Sequence, residues 1–120
     1  MINKDEIKKK YKQTLTPMGV FQIKNIVNGK IFIGSNKNLT ARKNRFDMEF
    51  SFETMTDEIL LNDLRQYGKE KFLFEVLDYL EPKEDPAYNY TDDLKTLEEL
   101  WIEKLQPFNE RGYNKQSNKG

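Results

Sequence analysis

Residues 19–34 read GVFQIKNIVNGKIFIG, and this stretch decides the fold. It contains two apolar runs, over residues 19–26 and 30–34, with Asn28 and Gly29 between them. Because both of these residues tolerate a positive φ, Asn-Gly is typical of the two-residue turn of a β-hairpin. The stretch therefore predicts two antiparallel strands joined by a two-residue turn at Asn28-Gly29.

The rest of the chain shows one further strand pattern and several helical patterns. A basic helix is predicted over residues 3–13, before the hairpin. The elements predicted after the hairpin are a helix over residues 39–50, a helix from Thr56 or Asp57 to Tyr67, a strand over residues 72–77 and a helix capped by Thr91 that runs to about Leu105. This order predicts an α+β fold, with a small, mainly antiparallel three-stranded sheet flanked by helices.

The length and composition set limits on the organisation of the chain. Its 120 residues allow one domain. We expect a basic N-terminal helix or arm over residues 1–17, the folded domain over residues 18–115 and a polar tail over residues 116–120. No apolar run approaches the ~20 residues that a membrane-spanning helix needs, so we expect no membrane association and a cytoplasmic location.

The chain contains neither cysteine nor histidine. Disulfides, thiolate metal sites and a histidine general base are therefore excluded. Any metal ion must be a hard cation with oxygen ligands, such as Mg²⁺ or Mn²⁺.

Charge is divided unevenly along the chain, although the net charge is zero. Residues 1–45 hold 11 Lys and Arg but 2 Asp and Glu, whereas residues 46–120 hold 9 and 18. One interpretation is that the two halves neutralise each other on folding. The other is that the N-terminal half forms a basic face that binds nucleic acid through its phosphates.

Several short segments, in the same order and spacing, resemble those of the GIY-YIG nuclease family. They are Gly19-Val20-Phe21, Phe32-Ile33-Gly34, Ser35 to Leu39 followed by Arg42, Tyr67-Gly68, Glu98 to Ile102, and Gly112-Tyr113-Asn114. The resemblance covers roughly residues 18–115. It implies the GIY-YIG endonuclease fold and metal-dependent hydrolysis of nucleic-acid phosphodiesters.

The resemblance also implies roles for individual residues. Glu98 stands at the position of the metal-binding glutamate, so a Mg²⁺ or Mn²⁺ ion is implied there. Arg42 stands at the position of an arginine that stabilises charge on the phosphate, and Asn114 stands at the asparagine position. Phe21 and Phe32 occupy the two tyrosine positions, so both of the family's hydroxyl groups are missing.

The site residues also have structural interpretations. Glu98 could be an ordinary exposed helix residue, Arg42 could pair with an acidic residue of the second half, and Asn114 could belong to a turn. Conversely, Tyr113 or Lys24 could replace a lost hydroxyl. We expect Arg42, Glu98 and Asn114 to meet in one shallow pocket.

Two main functions are compatible with these residues, and a different phosphoryl or small-molecule reaction at the same site is a third. The first is a metal-dependent nuclease of weak or altered activity. Its rate should be low because the tyrosine hydroxyls are missing, and a general acid–base group typically contributes ~10²–10⁴-fold to a rate. The second is a catalytically inactive module of the same fold that binds nucleic acid or a protein partner. The sequence does not predict the oligomeric state.

Overall fold

The computed structural model describes residues 17–115 of the chain. They form three strands and three α-helices, joined in places by short 3-10 turns. In chain order the elements are β1 (Gly19–Asn25), β2 (Ile31–Asn36), α1 (Leu39–Phe52), α2 (Glu58–Tyr67), β3 (Phe72–Tyr79) and α3 (Thr91–Leu105). The predicted basic helix and most of the arm lie outside the described residues, as does the tail, so the division into segments stays a prediction.

The three strands form one antiparallel sheet in the order β2-β1-β3. Phe21 of β1 lies opposite Gly34 of β2 and Val76 of β3. The sheet and its flanking helices confirm the predicted α+β class. No helix of the described part of the chain is long and apolar enough to cross a membrane.

The predicted hairpin is present, but its two-residue turn at Asn28-Gly29 is wrong. The Asn25 N–H donates to the carbonyl of Lys30 at 2.9 Å, which leaves a loop of four residues between these two. The side chain of Asn25 contributes to the difference, because its Oδ1 accepts from the N–H of Val27 at 2.9 Å. This bond stabilises a wider loop than the one that Asn-Gly favours by itself.

Side-chain caps set the beginning of two helices. Asn38 accepts from the N–H of Ala41 at the start of α1, and Asp57 does the same for two N–H groups of α2. The prediction that Thr91 caps α3 is wrong. Thr91 is the first residue of that helix, and its N–H donates to the side chain of Asn89 at 2.9 Å.

The main core lies between the sheet and the helices α1 and α2. Its buried members are Phe21, Ile23, Leu39, Phe46, Phe50, Met55, Leu60, Leu64, Phe72 and Tyr113. Successive strand residues point to opposite faces of a sheet, so Val20, next to Phe21, points away from this core. Helix α3 contacts β1 and β2, and its Leu94 is buried.

Candidate active site

Residues 32–35 of β2 organise the candidate site. Phe32 packs against the main core. Gly34, the next residue on the same face of the sheet, lies against the ring of Phe21. Ser35 points to the other face of the sheet and contacts α3 through Glu98. The two faces of one short segment therefore contact different parts of the candidate site.

The aromatic rings at the two tyrosine positions are packing residues. The Phe21 ring is 2% exposed and stacks on Phe74 with the ring centroids 4.9 Å apart. The Phe32 ring lies 6.3 Å from it. A Cβ atom at Gly34 would lie 2.7 Å from Cζ of Phe21, so glycine is required where the ring crosses β2.

Arg42 of α1 is held by a ring and by a carboxylate. Its guanidinium carbon lies 4.9 Å from the centroid of Phe21, and its Nη1 lies 3.4 Å from Oε1 of Glu49. Burial lowers the pKa of Arg42 from its ordinary value, and the charge of Glu49 opposes this shift. The pairing of Arg42 with an acidic residue of the second half, one of the two interpretations of this residue, is therefore present.

The same carboxylate binds a second arginine. Nε of Arg45 lies 2.9 Å from Oε1 of Glu49. Neither Arg45 nor Glu49 is among the residues predicted from the sequence to form the site. Their spacing of four residues on a predicted helix is the signal that could have identified this pair.

Glu98 of α3 has a different environment. Its Oε1 accepts a hydrogen bond from Oγ of Ser35 at 3.0 Å, and within residues 17–115 it makes no ion pair. It borders an open cleft, here called the α3 cleft, lined by Ser35, Asn36, Lys37, Thr91, Leu94, Lys95 and Glu98. Glu98 is therefore a partly buried carboxylate without a cationic partner among the described residues.

The α3 cleft offers one carboxylate, that of Glu98, to a hard divalent cation, and Lys37 and Lys95 line the same cleft. The described residues contain no group of three or more acidic side chains that could form an all-protein metal cage. Mg²⁺ does not require one, because it is usually held by one or two carboxylates, water and the phosphates of a substrate. Glu98, with Ser35 fixing one of its oxygens, supplies the one carboxylate of this cleft.

Asn114 extends the free edge of β2. Its Nδ2 donates to the carbonyl of Ile33 at 2.9 Å, and its Oδ1 accepts from the N–H of Ile33 at 2.8 Å. One residue earlier, the N–H of Tyr113 donates to the carbonyl of Ile31 at 2.8 Å. The amide group of Asn114 is therefore bound to the backbone and positions β2.

The hydroxyl of Tyr113 is also hydrogen-bonded within the protein. It donates to Oδ2 of Asp63 at 2.7 Å and accepts from Nδ2 of Asn25 at 3.1 Å. Burial raises the pKa of Tyr113 above its ordinary value, so this hydroxyl stays protonated at neutral pH and donates a hydrogen bond to Asp63. These contacts give Tyr113 a structural role, whereas the suggestion for Lys24 stays a prediction.

The three predicted site residues contact adjacent parts of the sheet. Asn114 binds Ile33, Glu98 binds the side chain of Ser35, and Arg42 lies over Phe21. The α3 cleft is lined by Glu98 but not by Arg42 or Asn114. Their joint action in one pocket, and their assignment as site residues, stay predictions.

Comparison with known proteins identifies the fold. No family model matches the chain, and no curated protein matches it. The catalytic domain of the homing endonuclease I-TevI is similar, with a TM-score of 0.64 and 25% sequence identity, over 83% of this chain and 99% of that chain. A mutant of the catalytic domain of the intron endonuclease I-TevI has a TM-score of 0.65 and 23% identity, over 82% and 93% of the two chains. The predicted resemblance is confirmed, and the chain has the fold of a GIY-YIG nuclease catalytic domain.

Proposed function

We propose that this domain binds nucleic acid and hydrolyses its phosphodiester bonds slowly, with a divalent metal ion at Glu98. The observation that supports this most strongly is the environment of the Glu98 carboxylate. Among the described residues it has a hydroxyl partner, Ser35, and no cationic one. A cation in the α3 cleft would balance this charge.

The expected ion is Mg²⁺ or Mn²⁺, since carboxylate and hydroxyl oxygens are hard ligands. When bound, such an ion polarises a phosphate oxygen and lowers the pKa of a coordinated water. The protein groups then have separate tasks. Ser35 orients the carboxylate of Glu98, Asn114 fixes the edge of β2, and Arg42, on the Phe21 ring, supplies positive charge for the phosphate.

The ligand is expected to be nucleic acid because of the cations near the sheet. Lys37 and Lys95 line the α3 cleft, and Arg42 and Arg45 lie on α1. Three of these four residues belong to the basic N-terminal part of the chain. Contacts of this kind to phosphates are independent of base sequence and sensitive to salt.

A low rate is expected because no hydroxyl is present at positions 21 and 32. A missing general acid–base group typically lowers a rate ~10²–10⁴-fold. A catalytically inactive binding module is therefore the second candidate. The burial of the Phe21 ring between Phe74, Gly34 and Arg42 favours it, because this is the environment of a packing residue.

Cleavage of supercoiled and single-stranded DNA with Mg²⁺ or Mn²⁺ tests the proposal. Glu98→Ala should reduce the rate about 10³-fold, because stabilisation by a metal is worth several kcal/mol. Glu99→Ala, at the exposed neighbouring position, is the matched control and should retain the activity of the parent protein. Equal cleavage by the Glu98→Ala variant would contradict the proposal, and salt-sensitive binding without any cleavage would establish the second candidate.

A further inference from the structure

We propose that Arg45 of α1 binds a further phosphate of the nucleic-acid strand, next to the phosphate that Arg42 contacts, and that Glu49 is an internal anion that competes with phosphate for both arginines. The inference rests on the proposed function, because the phosphate belongs to the same nucleic-acid ligand. It adds a contact away from the α3 cleft and a residue that limits affinity. The chemical class of the ligand is a phosphodiester of a nucleic-acid strand.

Two guanidinium groups converge on one oxygen atom. Oε1 of Glu49 lies 3.4 Å from Nη1 of Arg42 and 2.9 Å from Nε of Arg45. Residues four and seven positions apart lie on the same face of a helix. The fold therefore holds the two guanidinium groups close together, with the Glu49 carboxylate between them.

The two arginines have donors left for another anion. Each guanidinium has five N–H donors, and the two ion pairs involve one nitrogen atom of each. The Arg42 side chain is 13% exposed, whereas that of Arg45 is 68% exposed. Arg42 is thus a fixed cation supported by the Phe21 ring, and Arg45 can turn towards a ligand.

A surface groove gives a ligand access to Arg45 and Glu49. This groove, here called the α1 groove, is lined by Ala41, Asn44, Arg45, Met48, Glu49 and Thr54. The groove is shallow and open to solvent, with a volume of about 470 Å³. Met48 is exposed beside the charged pair and offers an apolar surface to a sugar or base.

Glu49 should limit binding at this groove. A phosphate group matches the arginine fork as a carboxylate does, so the two anions compete for the same donors. Competition of this kind lowers the affinity of the groove for nucleic acid. Removing the charge of Glu49 should therefore strengthen binding.

The test compares Glu49→Gln with Asp47→Asn. Both variants remove one negative charge from α1, but Asp47 pairs with the single, partly exposed Lys43. Binding of a fluorescent DNA duplex is measured without divalent metal over a series of salt concentrations. We expect Glu49→Gln to bind about tenfold more tightly than Asp47→Asn, because a hydrogen bond to a charged group is worth ~1.5–3 kcal/mol.

The salt dependence supplies a second criterion. For Glu49→Gln, the slope of log K against log salt should become more negative by about one, as for one additional phosphate contact. Replacing Arg45 by Gln should weaken binding of the parent protein and make this slope less negative by about one. Lys43→Gln is the matched control for Arg45→Gln, and it should change the DNA affinity and the salt slope less than Arg45→Gln does.

These results separate the inference from the proposed function. Equal affinities and slopes for Glu49→Gln and Asp47→Asn overturn the phosphate site, even where cleavage depends on Glu98. A gain in Glu49→Gln without any cleavage by any variant supports the site and removes the nuclease. Should Glu49→Gln fail to fold, as judged by circular dichroism, the Arg45→Gln and Lys43→Gln comparison decides, and equal binding by these two variants overturns the inference.

Discussion

The α1 groove and the α3 cleft each contain one partly buried carboxylate, but the partners of these carboxylates differ. Two guanidinium groups bind Glu49, whereas one hydroxyl group binds Glu98. A carboxylate that two cations neutralise has little affinity for a further cation, and a carboxylate with one neutral partner retains it. We therefore expect the neighbours of an acidic residue, rather than its exposure, to decide whether it can bind a metal ion.

Metal affinity should show the largest difference between the two regions. Glu98→Gln is expected to weaken Mn²⁺ binding by about 100-fold. Mutation of a residue that only supports a metal ligand already lowers metal affinity about 10–100-fold, and Glu98 is the proposed ligand itself. Glu49→Gln should leave this affinity within about twofold, because the Glu49 carboxylate is already paired with two arginines. Titration calorimetry with Mn²⁺ measures both, and an equal loss in the two variants would refute the distinction.

Restoring a hydroxyl group at the sheet should sharpen the comparison. Phe21→Tyr, combined with Phe32→Tyr, is expected to raise the rate of metal-dependent DNA cleavage by about tenfold or more. An acid–base group usually contributes ~10²–10⁴-fold to a rate. The rate is measured by plasmid nicking. The same pair of changes in a Glu98→Ala background is the control and should give no gain, since the metal would be absent from the α3 cleft.

Tyr113→Phe should act on stability rather than on either region. It leaves Asn25 and Asp63 without their shared partner, and we expect a loss of about 2 kcal/mol in the free energy of unfolding. Urea unfolding at pH 7 measures this loss. Tyr90→Phe, whose hydroxyl bonds an exposed backbone N–H, is the control and should be milder.

The pH dependence of the same variant has a defined sign. The folded state raises the pKa of Tyr113 above 10, so the folded protein holds this proton more tightly than the unfolded chain does. Its contribution to stability is complete below pH 10 and is lost as the pH rises towards the folded pKa. Between pH 9 and pH 11 the Phe variant should lose less stability than the parent protein, and parallel curves would contradict the assignment.

Asn114→Ala should give the smallest of these effects. It removes two hydrogen bonds to the backbone of Ile33, and we expect a loss of about 1 kcal/mol in the free energy of unfolding. Because β2 supports both regions, cleavage and DNA binding should fall together by a small factor. Asn62→Ala, at an exposed position of α2, serves as the control, and an equal effect of the two changes would exclude a positioning role.

The strands, the helices and the fold were predictable because each follows from local patterns. The hairpin alternation, the caps at Asn38 and Asp57 and the end of α2 at Gly68 are all encoded within a few residues. The width of the hairpin loop was not, because Asn25 makes its side-chain bonds both to the loop and to Tyr113, 88 residues away. A two-residue turn is the correct expectation for Asn-Gly when no such contact competes.

The resemblance to the GIY-YIG family singled out Arg42, Glu98 and Asn114 as candidate site residues. The structure shows the contacts of each, and their assignment to a site stays a prediction. The sequence did not reveal that Glu49 binds two arginines or that Asn114 pairs with the β2 backbone, because side-chain partners depend on distances that only the folded chain defines.

The contact between Gly34 and the Phe21 ring has a consequence for protein engineering. A methyl group at position 34 would meet the ring at 2.7 Å, so these two positions cannot be varied independently. A larger side chain at 34 requires a smaller one at 21, and the pair should show strong non-additivity in a double-mutant cycle. Libraries that aim to improve hydrolysis should therefore keep glycine at 34 and diversify the rings around it.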